Sequence, residues 1–259
     1  DPLLISGIGS DEYGDQILTR MQAHGLDTSA LQRNDTSPTG RVRISVIDEE
    51  PVFSILPDQA YDFVDSARLP LVSSDRFSVL YHGSLASRNA VSAAALATLR
   101  ESGLPVFVDI NLRPPWWELG RVEALLAGSR WLKLNHQELS ELTELSGHEE
   151  QHLMQGAQSL AKRYGLQTVI VTRGAEGVVA VTSDGSVSCR PEPVAHLIDS
   201  VGAGDAFSAV TLLGIVNGWS LETTLRRAAT FAAAICGIRG AIPEEDGFYS
   251  HNKTAWSNS

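Results

Sequence analysis

The chain has 259 residues, 43% hydrophobic and 20% charged, with a formal net charge of −11. That length suffices for one large α/β domain with a well-buried core, and the acidic balance argues against nucleic acid or an anionic membrane as partner. No apolar run approaches the roughly 18 residues of a membrane span. The only cysteines, Cys189 and Cys236, sit in apolar or strand-like contexts, which points away from a disulfide framework or zinc site and towards a reducing cytosol.

The first residues, "DPLLISGIG", lack the basic flank and cleavage site of a signal peptide. "LLISGI" (3–8) predicts a buried strand, and "DEYGDQILTRMQAH" a helix capped by Asp11 and stopped by Gly25. "QRNDTSPTG" (32–40) reads as a loop. "RVRISVI" (41–47) and "VFSIL" (52–56) flank the acidic turn "DEEP" and predict a β-hairpin, read as a small lid over a sheet's carboxyl edge. From residue 77 strands and helices alternate: strands at 77–82, 105–110, 130–134 and 167–172, helices at 87–102, 117–128, 136–145 and 149–165. "GVVAVTS" and "SVSCRP" predict paired strands across "DG". Two helices follow, near 203–217 and 220–236, with Gly218 between them, and "HNKTAWSNS" (251–259) reads as a tail. Alternation with near-continuously apolar strands implies an α/β fold, a doubly wound, mostly parallel sheet in a single domain over 1–259.

Two glycine-rich stretches compete for a phosphate. "GIGSDEYG", with Gly7, Gly9 and Gly14, superficially matches a dinucleotide fingerprint. Its spacing is wrong, and no strand-end acid lies ~20 residues on to take a ribose. A tight turn before a helix accounts for it better than a nicotinamide site. "DSVGAGDAF" (199–207) is the stronger candidate. Backbone N–H groups at a helix start carry partial positive charge, and a ligand oxygen reaches them only where no Cβ intervenes. Gly202, Ala203 and Gly204 offer that access, so they form a candidate anion hole. Asp205 in the same field should stay ionised, able to accept a proton from an attacking hydroxyl. A plain Asp cap with a Gly turn would also fit these residues.

"GAGDAF" preceded by Asp199 resembles the C-terminal motif of the PfkB, or ribokinase-like, carbohydrate kinases. The likeness continues in family order: "IGSDEYG", "SPTGRVRISV", "YHGSLA", "DINLRPPWW", "LKLNHQEL" and "VTRGAEG". "GSLA" and D-x-N-x-R-P-x-x-W resemble the fructokinase and ketodeoxygluconate-kinase branch more narrowly. The resemblance implies a ribokinase-like fold in which Asp205 is the base and Gly202, Ala203 and Gly204 hold the γ-phosphate. It implies that Thr172, Gly174 and Gly177 line the nucleotide, and that Asn135 and Glu138 (N-x-x-E) organise Mg²⁺ through water. Asn111 and Arg113 should reach substrate or phosphate oxygen, with Arg suited by its planar fork. The cofactors implied are ATP and Mg²⁺, with a monovalent cation near Asp199 as a further candidate. The partner is a small sugar, with no nucleic acid or membrane, in a cytoplasmic protein for which a homodimer is one expected assembly.

Two departures qualify the likeness. Val210 replaces a smaller residue behind the site. The family's first strand with its sugar-binding Asp, and the G-G-x-x-x-N after it, do not occur before Leu3. The expectation is that the N-terminal strand of the family is missing from these residues, its slot in the sheet either left open or filled by another segment or a partner chain. The function read from the sequence is ATP-dependent phosphorylation of a sugar hydroxyl, a ketohexose such as fructose, with 2-keto-3-deoxygluconate as the alternative substrate. A nicotinamide oxidoreductase and a non-catalytic sugar- or nucleotide-binding relative are the readings from other classes. His82, Trp116, Trp117, Met21 and Met154 are read as packing residues.

Overall fold

The computed structural model describes residues 1–47, 50–143, 145, 147, 149–191, 196–243 and 247–257. The chain forms two compact units. The first comprises Asp1–Leu80, Ser84–Leu104 and Arg113–Trp117, the second Tyr81–Gly83, Pro105–Leu112 and Glu118–Ser259.

In the first unit, β1 (Ser6–Gly9) leads into α1 (Glu12–Ala23) and pairs in parallel with β2 (Leu31–Asn34). The strand expected at 3–8 is therefore shorter and shifted, with Leu3 making only an isolated bridge to Asp27. β2 replaces the start of the expected loop. Its Gln32 is buried because its amide stands in for a strand neighbour, donating to the Asp65 carbonyl at 3.0 Å and accepting from the Asp65 N–H at 2.7 Å. The expected hairpin is present as antiparallel β3 (Val42–Ile47) and β4 (Glu50–Ile55). Asp48 and Glu49 of its acidic turn lie outside the described residues. Helix α2 (Ala90–Arg100), capped by Asn89, completes the unit and buries Ala95, Leu96 and Leu99.

The glycines of "GIGSDEYG" serve packing. A Cβ on Gly7 would lie 2.2 Å from the Ala60 carbonyl oxygen, one on Gly9 2.5 Å from the Thr39 nitrogen, and one on Gly14 2.2 Å from the Gly9 oxygen. Asp11 caps α1 by accepting from the Gly14 N–H, and binds Thr39 through both its N–H and hydroxyl. Those bonds hold its carboxyl down at about 2.

The second unit holds most of a six-stranded sheet in the order β10-β9-β8-β7-β6-β5. Its members are β5 (Leu80–Gly83), β6 (Val106–Asp109), β7 (Trp131–Asn135), β8 (Thr168–Thr172), β9 (Val178–Thr182) and β10 (Gly185–Cys189). β6, β7 and β8 run parallel, and β9 and β10 fold back antiparallel across the "DG" turn. Phe107, Val108, Leu132, Leu134, Val169, Val171 and Val179 are fully buried, as their apolar runs require. The helices are α3 (Leu119–Leu126), α4 (His136–Thr143), α5 (Glu150–Tyr164), α6 (Ala203–Asn217), α7 (Leu221–Ile235) and α8 (Gly247–Ser257).

In α5, Leu153, Gly156, Ala157 and Leu160 recur at helical spacing and are buried, each leucine contributing about 2 kcal/mol. Gly156 lets α4 approach, since a Cβ there would sit 3.1 Å from Leu139. The tail expected at 251–259 is corrected by α8. Its Phe248, Tyr249 and Trp256 gather round Phe231 of α7 at centroid distances of 5.8, 6.2 and 5.7 Å. No helix among the described residues is long and apolar enough to cross a membrane.

Candidate active site

The ends of β6 and β7 begin the site. Their register sets Asp109 beside Lys133, on one face of the sheet. Both are buried, and the Lys133 ammonium reaches the two Asp109 oxygens at 2.9 and 3.1 Å. The Ser208 hydroxyl of α6 donates to the same carboxylate at 2.7 Å, and the Tyr81 hydroxyl lies 3.5 Å from it. Although Tyr81 is 40% exposed as a residue, burial around its phenol, then the charges of Asp109 and Asp205, push it well above the ordinary range. Tyr81 is therefore a neutral donor at physiological pH.

Ser208 stands three residues after Asp205, on the same side of α6. The bond from Ser208 to Asp109 thus seats the first turn of α6 at the carboxyl ends of β6 and β7. Asp205 is exposed in that turn, and Gly202 is the helix cap at φ 82°. The two glycines have structural as well as access reasons for being small. A Cβ on Gly202 would lie 2.5 Å from that of Ala241, and one on Gly204 3.3 Å from the Lys133 ammonium. The Ala203 N–H turns back to the Ser200 carbonyl at 3.3 Å.

Asn135 closes β7 and pairs in register with Thr172, which closes β8. The candidate metal and nucleotide residues are thus strand-end neighbours. Asn135 and Glu138 form a reciprocal cap on α4: the Asn135 side chain accepts from the Glu138 N–H, and Glu138 Oε2 from the Asn135 N–H. Glu138 Oε1 accepts from the Leu112 N–H at 2.8 Å, and burial pushes this carboxyl up. Each oxygen already holds one backbone donor, and the described residues contain no cluster of three or more His, Cys, Asp or Glu fit to cage a metal. A carboxylate oxygen can accept more than one hydrogen bond, so this donor set is compatible with contact to the waters of an ion whose other ligands come from elsewhere.

Between β8 and β9 the chain turns through residues 173–177, closed by an Arg173 N–H bond to the Gly177 carbonyl at 2.8 Å. Gly174 and Gly177 have φ values of 57° and 93°. A Cβ on Gly177 would strike the Cys189 carbonyl at 2.1 Å, whereas Gly174 faces open space. Buried Arg173 braces the turn through Glu150 at 3.2 Å.

Asn111 adopts φ 40°, a left-handed conformation that Asn tolerates, and turns the chain out of β6. Arg113 is exposed and belongs to the first unit. Asp199 binds the N–H groups of Val201 and Gly240 at 3.0 Å each, which lower its pKa. Buried His82 lies 3.1 Å from the Gly83 carbonyl, in keeping with a packing role.

The sequence reading passed over Asp109, Lys133, Ser208 and Tyr81. A usable signal was present: "VFVDI" and "WLKL" place one acid and one base in otherwise apolar strands, where charges must find partners.

An α/β fold with a carboxylate in the first turn of a glycine-capped helix, above strand ends, is compatible with phosphoryl transfer. The family described as pfkB family carbohydrate kinase matches residues 1–246, and the chain belongs to it. Among curated relatives, the fructokinase of Salmonella typhimurium is 28% identical over 253 residues, covering 92% of this chain and 80% of that protein. The chain spans about half or less of the bifunctional HldE relatives it also matches.

Among solved structures, a fructokinase with bound ATP from Xylella fastidiosa superposes with a TM-score of 0.80 at 22% identity, covering 98% of this chain and 85% of that one. A fructokinase from Vibrio cholerae O395, in a fructose, ADP and calcium ion bound form, gives 0.77 at 25% identity, covering 95% and 83%. The fold is ribokinase-like.

Proposed function

We propose that the chain transfers the γ-phosphoryl group of ATP to a hydroxyl of a ketohexose, fructose being the leading candidate. The observation that carries this reading is the placement of Asp205 in the exposed first turn of α6, behind Gly202 and Gly204. Asp205 takes the proton of the attacking hydroxyl as its oxygen bonds to phosphorus and the bond to ADP breaks. The amides of the same turn hold the charge that develops on the phosphoryl oxygens. A divalent cation, Mg²⁺ in this reading, would neutralise phosphate charge with its waters held by Asn135 and Glu138. Thr172, Gly174 and Gly177 would line the nucleotide, and Asn111 would meet substrate oxygen. The fructokinase relatives support fructose, and the Vibrio cholerae structure supports a nucleotide and metal ion at the site.

The test is a phosphorylation assay over fructose, other ketohexoses and 2-keto-3-deoxygluconate, on the wild type and Asp205→Asn. Wild type should phosphorylate one of these sugars. Asp205→Asn should lower kcat by roughly 10²–10⁴ with ATP affinity nearly unchanged. Turnover of the variant within a few-fold of wild type would place the base elsewhere. Absence of any sugar phosphorylation, with ATP still bound, would favour a non-catalytic relative.

A further inference from the structure

A buried Lys–Asp pair is rarely worth its desolvation as a source of stability, since a well-packed apolar pair often does as well. Lys133 and Asp109 nevertheless stand at the foot of the turn that carries Asp205. Lys133 and Asp109 are 7% and 3% exposed, and Ser208, which aligns the carboxylate, is 1% exposed. The ammonium has three donors. Two directions are taken by Asp109, and another points to the Gly204 carbonyl oxygen at 3.5 Å. That carbonyl shares a peptide unit with the Asp205 N–H, one of the first-turn amides of α6. An ammonium at the carbonyl end of a peptide fixes its plane and draws electron density towards oxygen. The N–H at the other end becomes a stronger and better aimed donor.

We propose that Lys133, clamped by Asp109 and Ser208, is a positioning residue that holds and polarises the Gly204–Asp205 peptide so that its N–H meets the transferring phosphoryl group. The inference rests on the kinase reading given above. It assigns the pair a task that its burial alone does not explain. It also accounts for glycine at 204, where a Cβ would crowd the ammonium at 3.3 Å.

Removing Lys133 alone would strand a buried carboxylate, so the variant is the neutral pair Asp109→Asn with Lys133→Met. Ser208→Ala is the second variant, because it keeps the ion pair and removes only its alignment. Thermal melts, the affinities for ADP and for a non-hydrolysable ATP analogue, and kcat with the sugar found in the assay above are measured for each. The double variant should keep ADP affinity within about threefold, weaken the analogue by about fivefold or more, and lose about tenfold or more in kcat, since the lost interaction is to the γ-phosphoryl group. Ser208→Ala should shift the last two in the same direction by about threefold.

A purely structural pair would instead lower the melting temperature and leave the ratio of ADP to analogue affinity unchanged, which overturns the proposal. Should the double variant not fold, an unchanged Ser208→Ala overturns it as well. Asp205→Asn run alongside separates the two readings. If that variant stays active, the kinase site itself is misplaced. If it loses turnover while the pair variants do not, only the role of Lys133 fails.

Discussion

Asp11 shows how one carboxylate can hold a local fold. It accepts from the Gly14 N–H at 2.9 Å, the Thr39 N–H at 2.8 Å and the Thr39 hydroxyl at 2.6 Å, joining the start of α1 to the segment before the hairpin. Its pKa of about 2 lies below the ordinary 3.8, so the stabilisation is present above about pH 4 and is lost as pH falls towards 2. Asp11→Ala should cost about 1 kcal/mol at neutral pH, a usual figure for a lost cap on a group partly open to solvent. Urea melts of wild type and variant from pH 6 to pH 2 check this. A gap that does not narrow below pH 4 would mean that the bonds to Thr39 carry no stability.

Glu138 illustrates the same scale from the other side. Asn-x-x-Glu before an apolar run is a capping-box pattern, so the reciprocal cap of Asn135 and Glu138 on α4 had a signal in the sequence. The bond to Leu112 was not legible, because it depends on Asn111 turning the chain at φ 40°.

At the scale of elements, periodicity served wherever one face of a helix or both faces of a strand met the core. It failed for β2 and α8, whose burial comes from particular partners. Gln32 is a polar residue hidden by a backbone mimic, and no alternation announces it. In α8 the aromatic residues at 248, 249 and 256 share one face at i+7 and i+8 spacing, but polar Asn252 and Lys253 interrupt the stripe between them, and its partners are Phe231 and Trp219. Arg227 adds a clamp: it stacks on Trp219 at 4.2 Å and donates to the Trp256 carbonyl at 2.8 Å.

Trp256→Ala should therefore cost about 2–3 kcal/mol, somewhat less than a fully buried tryptophan, and lower Tm by several degrees. Near-ultraviolet circular dichroism should lose intensity with it, since Trp219 and Trp256 lie 6.0 Å apart at 67°. An unchanged melt would show that α8 is not held by this cluster.

For the whole molecule, the relevant quantity is the net charge of −11 on a protein whose proposed ligand is itself an anion. The attraction at the start of α6 comes from peptide dipoles and acts over the first turn of the helix. The repulsion comes from the whole chain and reaches as far as the Debye length, about 30 Å at 0.01 M salt and about 8 Å at 0.15 M. A nucleotide approaching at low salt meets the repulsion first and the local donors only on arrival. Raising salt from about 0.01 M to 0.15 M, with free Mg²⁺ held constant, should speed association, by about two- to fivefold. The dissociation rate should move little if the first-turn amides hold the phosphates, because contacts at hydrogen-bond distance lie inside the screening distance. Stopped-flow binding of a fluorescent ATP analogue measures both rates. A steep fall in the association rate with salt would mean that a basic surface steers the nucleotide despite the acidic total. The phosphate would then have to be sought beside clustered arginines and lysines, away from the amides of Ala203–Asp205.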